Sequence, residues 1–556
     1  MPTDTTAGSV PSRARKAREA RVLGIGAYAI AGVCLLPMLA VLVTALSGGS
    51  DTLGHLADTV LPGYTFNTLL LVIYVAVGTF LIGTGAAWLV TMAEFPGRRL
   101  LEIALVIPLA FPAYVLAYAY THVLDHPGIV QTGLRAMTGW GPRDYWFPEI
   151  RSLGGAAAML VLVLYPYVYL LARAAFLQQS ATTYYAARAL GCTPVKACLQ
   201  VSMPMARPAI AAGVLLATME TIADFGTVSY FGVQTFATGI YTSWFTMADR
   251  VAAAQLALGL LGFALALAVL ERTSRGGARY HGGKRQEAMG RAVLIGWRKW
   301  VAMLLCGAPV LFGVILPVAA LFAMGIGSEQ NLFSRRYIQF LTNSLTLASV
   351  AAVMTVSAAV VIGYFQRLRP GKGSAAALYA ARLGYAVPGG VIAVGLLVPF
   401  ALFDNQLDAF MQQTFGIRTG LLMTGSIWVL VMAYMIRFLA AAIGSYEGGQ
   451  ATIHTNLDAA ARVLGQSPYG LLRRVHLPIL TPSLLTALLI VFVDVMKELP
   501  ATLIMRPFNY DTLAVQAYRL ASDERLEGAA VPSLVIVAVG LLPVILLCRQ
   551  VGRQAR

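Results

Sequence analysis

The sequence predicts an all-α polytopic membrane protein with twelve transmembrane helices arranged as two parallel six-helix repeats. Three observations predict it. The 556 residues are 58% hydrophobic and only 12% charged, a balance foreign to soluble globular chains. The apolar residues gather into runs of about 20, the length that crosses hydrocarbon as a helix. One sequence pattern then recurs at a constant offset of 274 residues, as from Gly191 to Gly465, and an internal repeat outranks any local signal in deciding architecture.

The elements follow in chain order. A basic tail, residues 1–22, contains PSRARKAREAR, which is similar to the start of a signal peptide. The apolar run after it is long and has no small-residue cleavage site, so it reads as an uncleaved first span. Spans are expected at 23–46, 67–91, 100–123, 154–176, 207–228 and 252–270, and again at 300–324, 342–366, 376–402, 420–443, 481–503 and 530–548. The first half is thus 23–270 and the second 300–548. Between them lies a basic linker, 271–299, that contains ERTSRGGARYHGGKRQEAMGR, and a short tail, 549–556, closes the chain. An even number of spans places both termini on one side, and the Lys and Arg residues concentrate in segments that face inward when that side is the cytoplasm. The net charge of +16 is read as this topology signal, and no nucleic-acid partner is expected.

Five scattered cysteines include no C-x-x-C pair, and the six histidines are equally dispersed, so neither a disulfide framework nor a stable metal site is expected. GKGS at Gly371–Ser374 lacks the ending and spacing of a phosphate loop and reads as a basic turn.

The repeat is clearest between the fourth and fifth spans of each half. YYAARALGCTPVKACLQVSMPMARP from Tyr184 matches DAAARVLGQSPYGLLRRVHLPILTP from Asp458. Alanine and leucine favour helix up to Gly191 and Gly465, where glycine supplies a left-handed stop. Thr193-Pro194 and Ser467-Pro468 then provide a cap followed by proline at the first helical position. Two short helices at an angle are expected in each copy.

The pattern A-A-R-x-L-G, with a proline 13 residues after the glycine, resembles the EAA loop of bacterial importer permeases of the ATP-binding cassette class. The resemblance implies coupling loops that dock on a cytoplasmic ATPase, carried here by Ala186, Ala187, Gly191, Pro194 and Pro204, and by Ala460, Ala461, Gly465, Pro468 and Pro478. The usual glutamate position holds Tyr185 and Ala459, with Asp458 one place earlier. METIADFGTVSYFGVQTFATGIYTSWF from Met219 and DVMKELPATLIMRPFNYDTLAVQAY from Asp494 resemble the two halves of fused permeases of the ferric-iron importer family. Thiamine, phosphonate and polyamine permeases are similar relatives. The resemblance implies an inner-membrane protein in a bilayer, an extracytoplasmic substrate-binding protein, and an ATPase homodimer that carries ATP and Mg. It implies no cofactor and no catalytic residue on this chain, which has no Walker motif.

Four acids fall in the fifth and eleventh spans. Glu220 matches Asp494 and Asp224 matches Glu498 at the 274 offset, each pair spaced i and i+4 so that both carboxylates share a helix face. A duplicated carboxylate lining suits a hard, highly charged cation, and acids inside membrane spans mark ion paths. A structural polar cluster in which Lys497 neutralises Asp494 and Glu498 is the other reading. A proton-coupled secondary transporter is the competing mechanism, although such transporters often carry inverted repeats, whereas copies of six spans are parallel.

Overall fold

The computed structural model describes residues 13–47, 50–179, 186–274, 291–328, 330 and 334–554. Tyr185, most of the linker and the first twelve residues lie outside them. The chain is an all-α polytopic membrane protein. Eleven helices are long and apolar enough to cross a membrane, or twelve when one bent pair counts as a span.

In chain order the helices used below are α1 (Arg13–Ser47), α2 (Leu61–Met92), α3 (Arg98–Ala104), α4 (Ala113–Leu124), α5 (Leu153–Leu177), α6 (Met203–Ala223), α7 (Gly226–Tyr230) and α8 (Arg250–Ser274). They continue as α9 (Trp297–Ile326), α10 (Arg335–Leu368), α11 (Lys372–Leu383), α12 (Gly389–Phe415), α13 (Ile427–Gln450), α14 (Thr455–Val463) and α15 (Pro468–Met496). The last are α16 (Pro500–Met505), α17 (Leu513–Ser522) and α18 (Leu526–Gln554). Two two-residue strands, β1 (Ala93–Glu94) and β2 (Ala292–Val293), pair in parallel.

The repeat is legible in individual bonds. Asn67 Nδ2 donates to the Gln234 carbonyl at 2.9 Å, and Asn343 Nδ2 to the Asp511 carbonyl at 3.1 Å. The Thr68 hydroxyl accepts from Phe236 N–H, and the Ser344 hydroxyl from Leu513 N–H. Glu102 on α3 pairs with Arg173 on α5, while Arg382 on α11 pairs with Glu447 on α13. The same helices are therefore joined in both halves with the charges exchanged.

Two expected spans are broken. The run read as 100–123 folds as α3, a 3₁₀ turn at Ile107–Ala110, and α4, with a bend of 97°. The run read as 376–402 folds as α11, a 3₁₀ turn at Gly384–Ala386, and α12. Pro112 and Pro388 stand at the breaks. A proline disfavours helical backbone at the residue before it and supplies no N–H itself, so continuous hydropathy does not become a continuous helix.

Two compact units cut across the repeats. One holds the chain up to Val41, Leu345–Val495 and Met505–Pro507; the other holds Leu42–Ser344, Met496–Ile504 and Phe508–Arg556. In the first, α1 lies on second-repeat helices. Tyr28 meets Phe365 edge-on at 5.6 Å, and a side chain at Gly395 would come within 2.3 Å of the Pro37 carbonyl. Tyr364, Tyr446, Ile453, Leu472 and Leu480 form a core beside it. In the second unit α2 and α6 both pack on α5, where a Cβ at Gly83 or Gly213 would lie 2.7 Å from Val168 atoms. Small residues there let backbones approach closely.

Candidate translocation site and coupling loops

Both repeated loops have the predicted local geometry. Gly191 and Gly465 adopt φ of +88° and +83°. Cys192 N–H returns to the Ala187 carbonyl and Gln466 N–H to the Ala461 carbonyl, at 3.1 and 3.0 Å, which closes a Schellman turn at each helix end. Thr193 and Ser467 then accept from Lys196 N–H and Gly470 N–H. Five-residue π turns follow, at Cys198–Ser202 and Leu472–His476. Pro204 and Pro478 come just after them, and the wider turn accommodates a ring that would clash with the preceding turn of a regular helix.

Ala186 is exposed and Ala187 half-buried in the first loop; Ala460 is exposed and Ala461 buried in the second. Leu190 and Leu464, one residue before the glycines, are 86% and 78% exposed. The two copies thus hold an apolar residue out at the same place.

Asp458, the displaced acid of the second loop, is buried. It accepts from Arg367 Nε at 2.7 Å and hydrogen-bonds His476 Nε2 at 2.8 Å. Arg367 also donates to the Gln450 and Ile453 carbonyls. Burial pushes the Asp458 carboxyl up, but the hydrogen bonds and charges of Arg367 and His476 outweigh it and hold the group below the usual carboxylate range.

The four acids do not share helix faces as the i, i+4 spacing predicted. Helix α6 ends at Ala223 and α15 at Met496, so Glu220 and Asp494 lie within helices, while Asp224 and Glu498 stand past their ends. Asp224 accepts from Thr227 N–H and Oγ1 at 3.0 and 3.1 Å and from Val228 N–H at 3.3 Å. Glu498 accepts from Ala501 N–H at 3.0 Å, and from Thr502 N–H and Oγ1 at 3.1 and 2.7 Å. Each carboxylate caps the short helix after it, α7 or α16, and satisfies N–H groups that a helix start leaves open.

The two acids lie in one aromatic setting. Tyr114 is within electrostatic reach of both Glu498 and Asp224. It bears on Gly226, where a Cβ would meet its ring at 2.8 Å and Leu499 at 2.9 Å. Its hydroxyl donates to the Lys497 carbonyl at 3.4 Å, and Lys497 Nζ donates to the Leu109 carbonyl at 3.3 Å. The rings continue through Tyr118 and Tyr230, 4.7 Å apart, and Tyr518 hydrogen-bonds Ser229 at 2.8 Å.

Comparison with known proteins agrees with this architecture. Residues 79–272 match the family described as binding-protein-dependent transport system inner membrane component. The Fe(3+)-transport system permease protein FbpB 2 of Haemophilus influenzae is 26% identical over 497 residues, covering 86% of this chain and 88% of the relative. The probable ABC transporter permease protein y4fN of Sinorhizobium fredii is 26% identical over 550 residues, 92% of each chain. Along most of its length the chain is similar to transport-system permeases. A putative 2-aminoethylphosphonate transport system permease, PhnU of Salmonella choleraesuis, is 27% identical over 256 residues, which is 44% of this chain and 88% of that one. Relatives of that length correspond to about one half of this chain, as expected where one chain carries two copies of the unit.

Sequence reasoning missed one cluster. Arg151 grips Glu524 through both guanidinium nitrogens at 2.6 and 2.8 Å, reaches Asp125 at 2.9 Å, and lies over the Tyr230 ring at 5.2 Å. The hydrogen bond from Arg151 holds the Glu524 carboxyl below its usual range against the effect of burial. Glu524 has a φ of +59°, unusual for a side-chain-bearing residue. The partners are 373 positions apart, so no local pattern joins them. The aromatic approach was findable, since Tyr114 and Tyr118 stand i, i+4 in AYVLAYAY.

Proposed function

We propose that this permease imports ferric iron across the bacterial inner membrane, with both termini in the cytoplasm. The reading rests on the match to an Fe(3+)-transport permease over 86% of the chain. The two acids set among tyrosines add hard oxygen donors that suit a trivalent cation. An extracytoplasmic binding protein delivers the ion, and the loops around Gly191 and Gly465 dock on two copies of a separate ATPase that carries ATP and Mg. Hydrolysis there alternates the permease between outward-open and inward-open states. Glu220, Asp224, Asp494 and Glu498 line the path, and the ion is passed on because a conducting site must release what it binds.

The half-length phosphonate-permease relatives favour a second reading with an aminophosphonate cargo. Carboxylates beside the path would repel its anionic end, which is why iron is preferred. The test is uptake by vesicles reconstituted with the permease, its ATPase and its binding protein. ATP-dependent accumulation of radiolabelled ferric iron, without accumulation of labelled 2-aminoethylphosphonate or thiamine, is expected. The reverse selectivity would overturn the iron reading, and uptake that ignores ATP but follows a proton gradient would overturn the importer mechanism.

A further inference from the structure

We infer that Glu19, near the start of α1, is a positioning residue for the second coupling loop and ties that loop to a helix from the other end of the chain. The inference rests on the reading of this loop as an ATPase-docking element. The Glu19 carboxylate accepts from Tyr469 N–H at 3.1 Å, the second residue of α15. The Ser467 hydroxyl hydrogen-bonds the same carboxylate and accepts from Gly470 N–H at 3.2 Å. With its proton given to Glu19, the Ser467 oxygen keeps a lone pair for Gly470, so one carboxylate orders two caps.

Arg15 Nε, one turn earlier on α1, holds the other Glu19 oxygen at 3.1 Å. A negative charge is also favoured where a helix begins. From a second direction, the Tyr364 hydroxyl on α10 donates to the Pro468 carbonyl at 2.5 Å. The first peptide units of α15 are thus gripped by α10 and α1, and α1 continues past Phe365 and Gly395 along the second-repeat helices. A displacement of the loop is handed directly to α1. The corresponding element of the other repeat is anchored differently: α9 follows β2, whose backbone pairs with β1, and the first loop is capped by Thr193. Among the described residues, the loop contacts of Glu19 are to the second loop.

The experiment compares Glu19→Ala and Glu19→Gln in the full complex of permease, ATPase and binding protein in vesicles. It reads the ratio of ferric iron transported to ATP hydrolysed, together with amide hydrogen exchange across residues 467–472, which needs no cargo. Glu19→Ala is expected to lower the ratio at least threefold and to speed exchange there about tenfold, while the ATPase still co-purifies. Glu19→Gln, which keeps an acceptor oxygen, should stay within twofold on both. Unchanged exchange and ratio in Glu19→Ala would overturn the inference, as would an equal fall in both variants with loss of the ATPase. If Gly465→Val impairs transport while Glu19→Ala does not, the coupling reading survives and this inference fails. If neither variant alters hydrolysis or transport, the coupling reading itself fails.

Discussion

Replacing Asp224 with Asn separates the capping job that the structure shows from the path role proposed for the same side chain. The carboxylate caps α7 through Thr227 and Val228, and under the proposed function its charge also meets the passing cation. Asparagine caps helices about as well as aspartate, so Asp224→Asn should cost only a few tenths of a kcal/mol in stability. Asp224→Ala leaves the buried Thr227 and Val228 N–H groups without their acceptor, at about 1–2 kcal/mol in total. Thermal unfolding of the detergent-purified protein and iron uptake in vesicles read the two jobs separately. Asp224→Asn is expected to unfold at the wild-type temperature but transport at least tenfold more slowly, a loss of about 1.4 kcal/mol or more in the barrier. Glu498→Gln, made alongside, should behave similarly, because its carboxylate likewise serves two N–H groups and a hydroxyl. Wild-type uptake by Asp224→Asn, with a deficit only in Asp224→Ala, would refute the path role and leave this acid as a helix cap.

Four further outcomes are expected. Gly191→Val and Gly465→Val should each force a β-branched residue into left-handed backbone at about 1–2 kcal/mol, lowering transport and stimulated ATPase activity while membrane insertion persists; normal transport by both would end the coupling assignment. Asp458→Ala strands Arg367 and His476 and should destabilise the second loop by about 3–5 kcal/mol, seen as rapid cleavage near residue 465 in limited proteolysis. The Arg151–Glu524 grip depends on a depressed carboxyl, so it is fully present above the ordinary glutamate range and lost as pH falls through the lowered value. The protection factors at 523–525, that is, exchange rates corrected for their intrinsic pH dependence, should therefore be constant between pH 5 and 8 and fall only below about pH 4, and because Glu524 is 61% exposed the effect stays near 1 kcal/mol or less; a loss of protection already at pH 6 would contradict it. Impermeant thiol reagents should reach a cysteine at position 137 from outside intact cells but one at 469 only after permeabilisation, the two native residues being 88% and 58% exposed; the reverse pattern would invert the proposed topology.

What the sequence revealed and what it hid divide along the range of the interactions. The loop geometry at Gly191 and Gly465 was readable because glycine, cap and proline act over a few residues. The fold class was readable because hydrocarbon imposes a length on every span. The tenth span was expected at 420–443 but runs from Ile427 to Gln450, because apolar residues near 420 belong to a loop instead. Asp404 and Asp408 capture the N–H groups of Met423, Thr424, Thr419 and Gly420, and a hydropathy scan is blind to such capture. The acids at 224 and 498 carried a missed local signal, a threonine three or four residues on, which is the spacing of a cap. The Arg151 cluster had no local signal at all, since its parts meet only after both repeats are folded.

The placement of α1 has a consequence for how the protein is made. Gly24 packs beside Phe365, a separation of 365 − 24 = 341 residues, so during synthesis the helix is delivered to the bilayer on the order of tens of seconds before its partner surface exists. Until then it lacks those partners, and its composition suits that: its apolar window is only 28% buried even in the finished protein, which leaves most of it able to face lipid. A ribosome that stalls before the second repeat leaves this helix without Phe365 and Gly395, and its amino-terminal end is clasped only once the chain has been made as far as Tyr469.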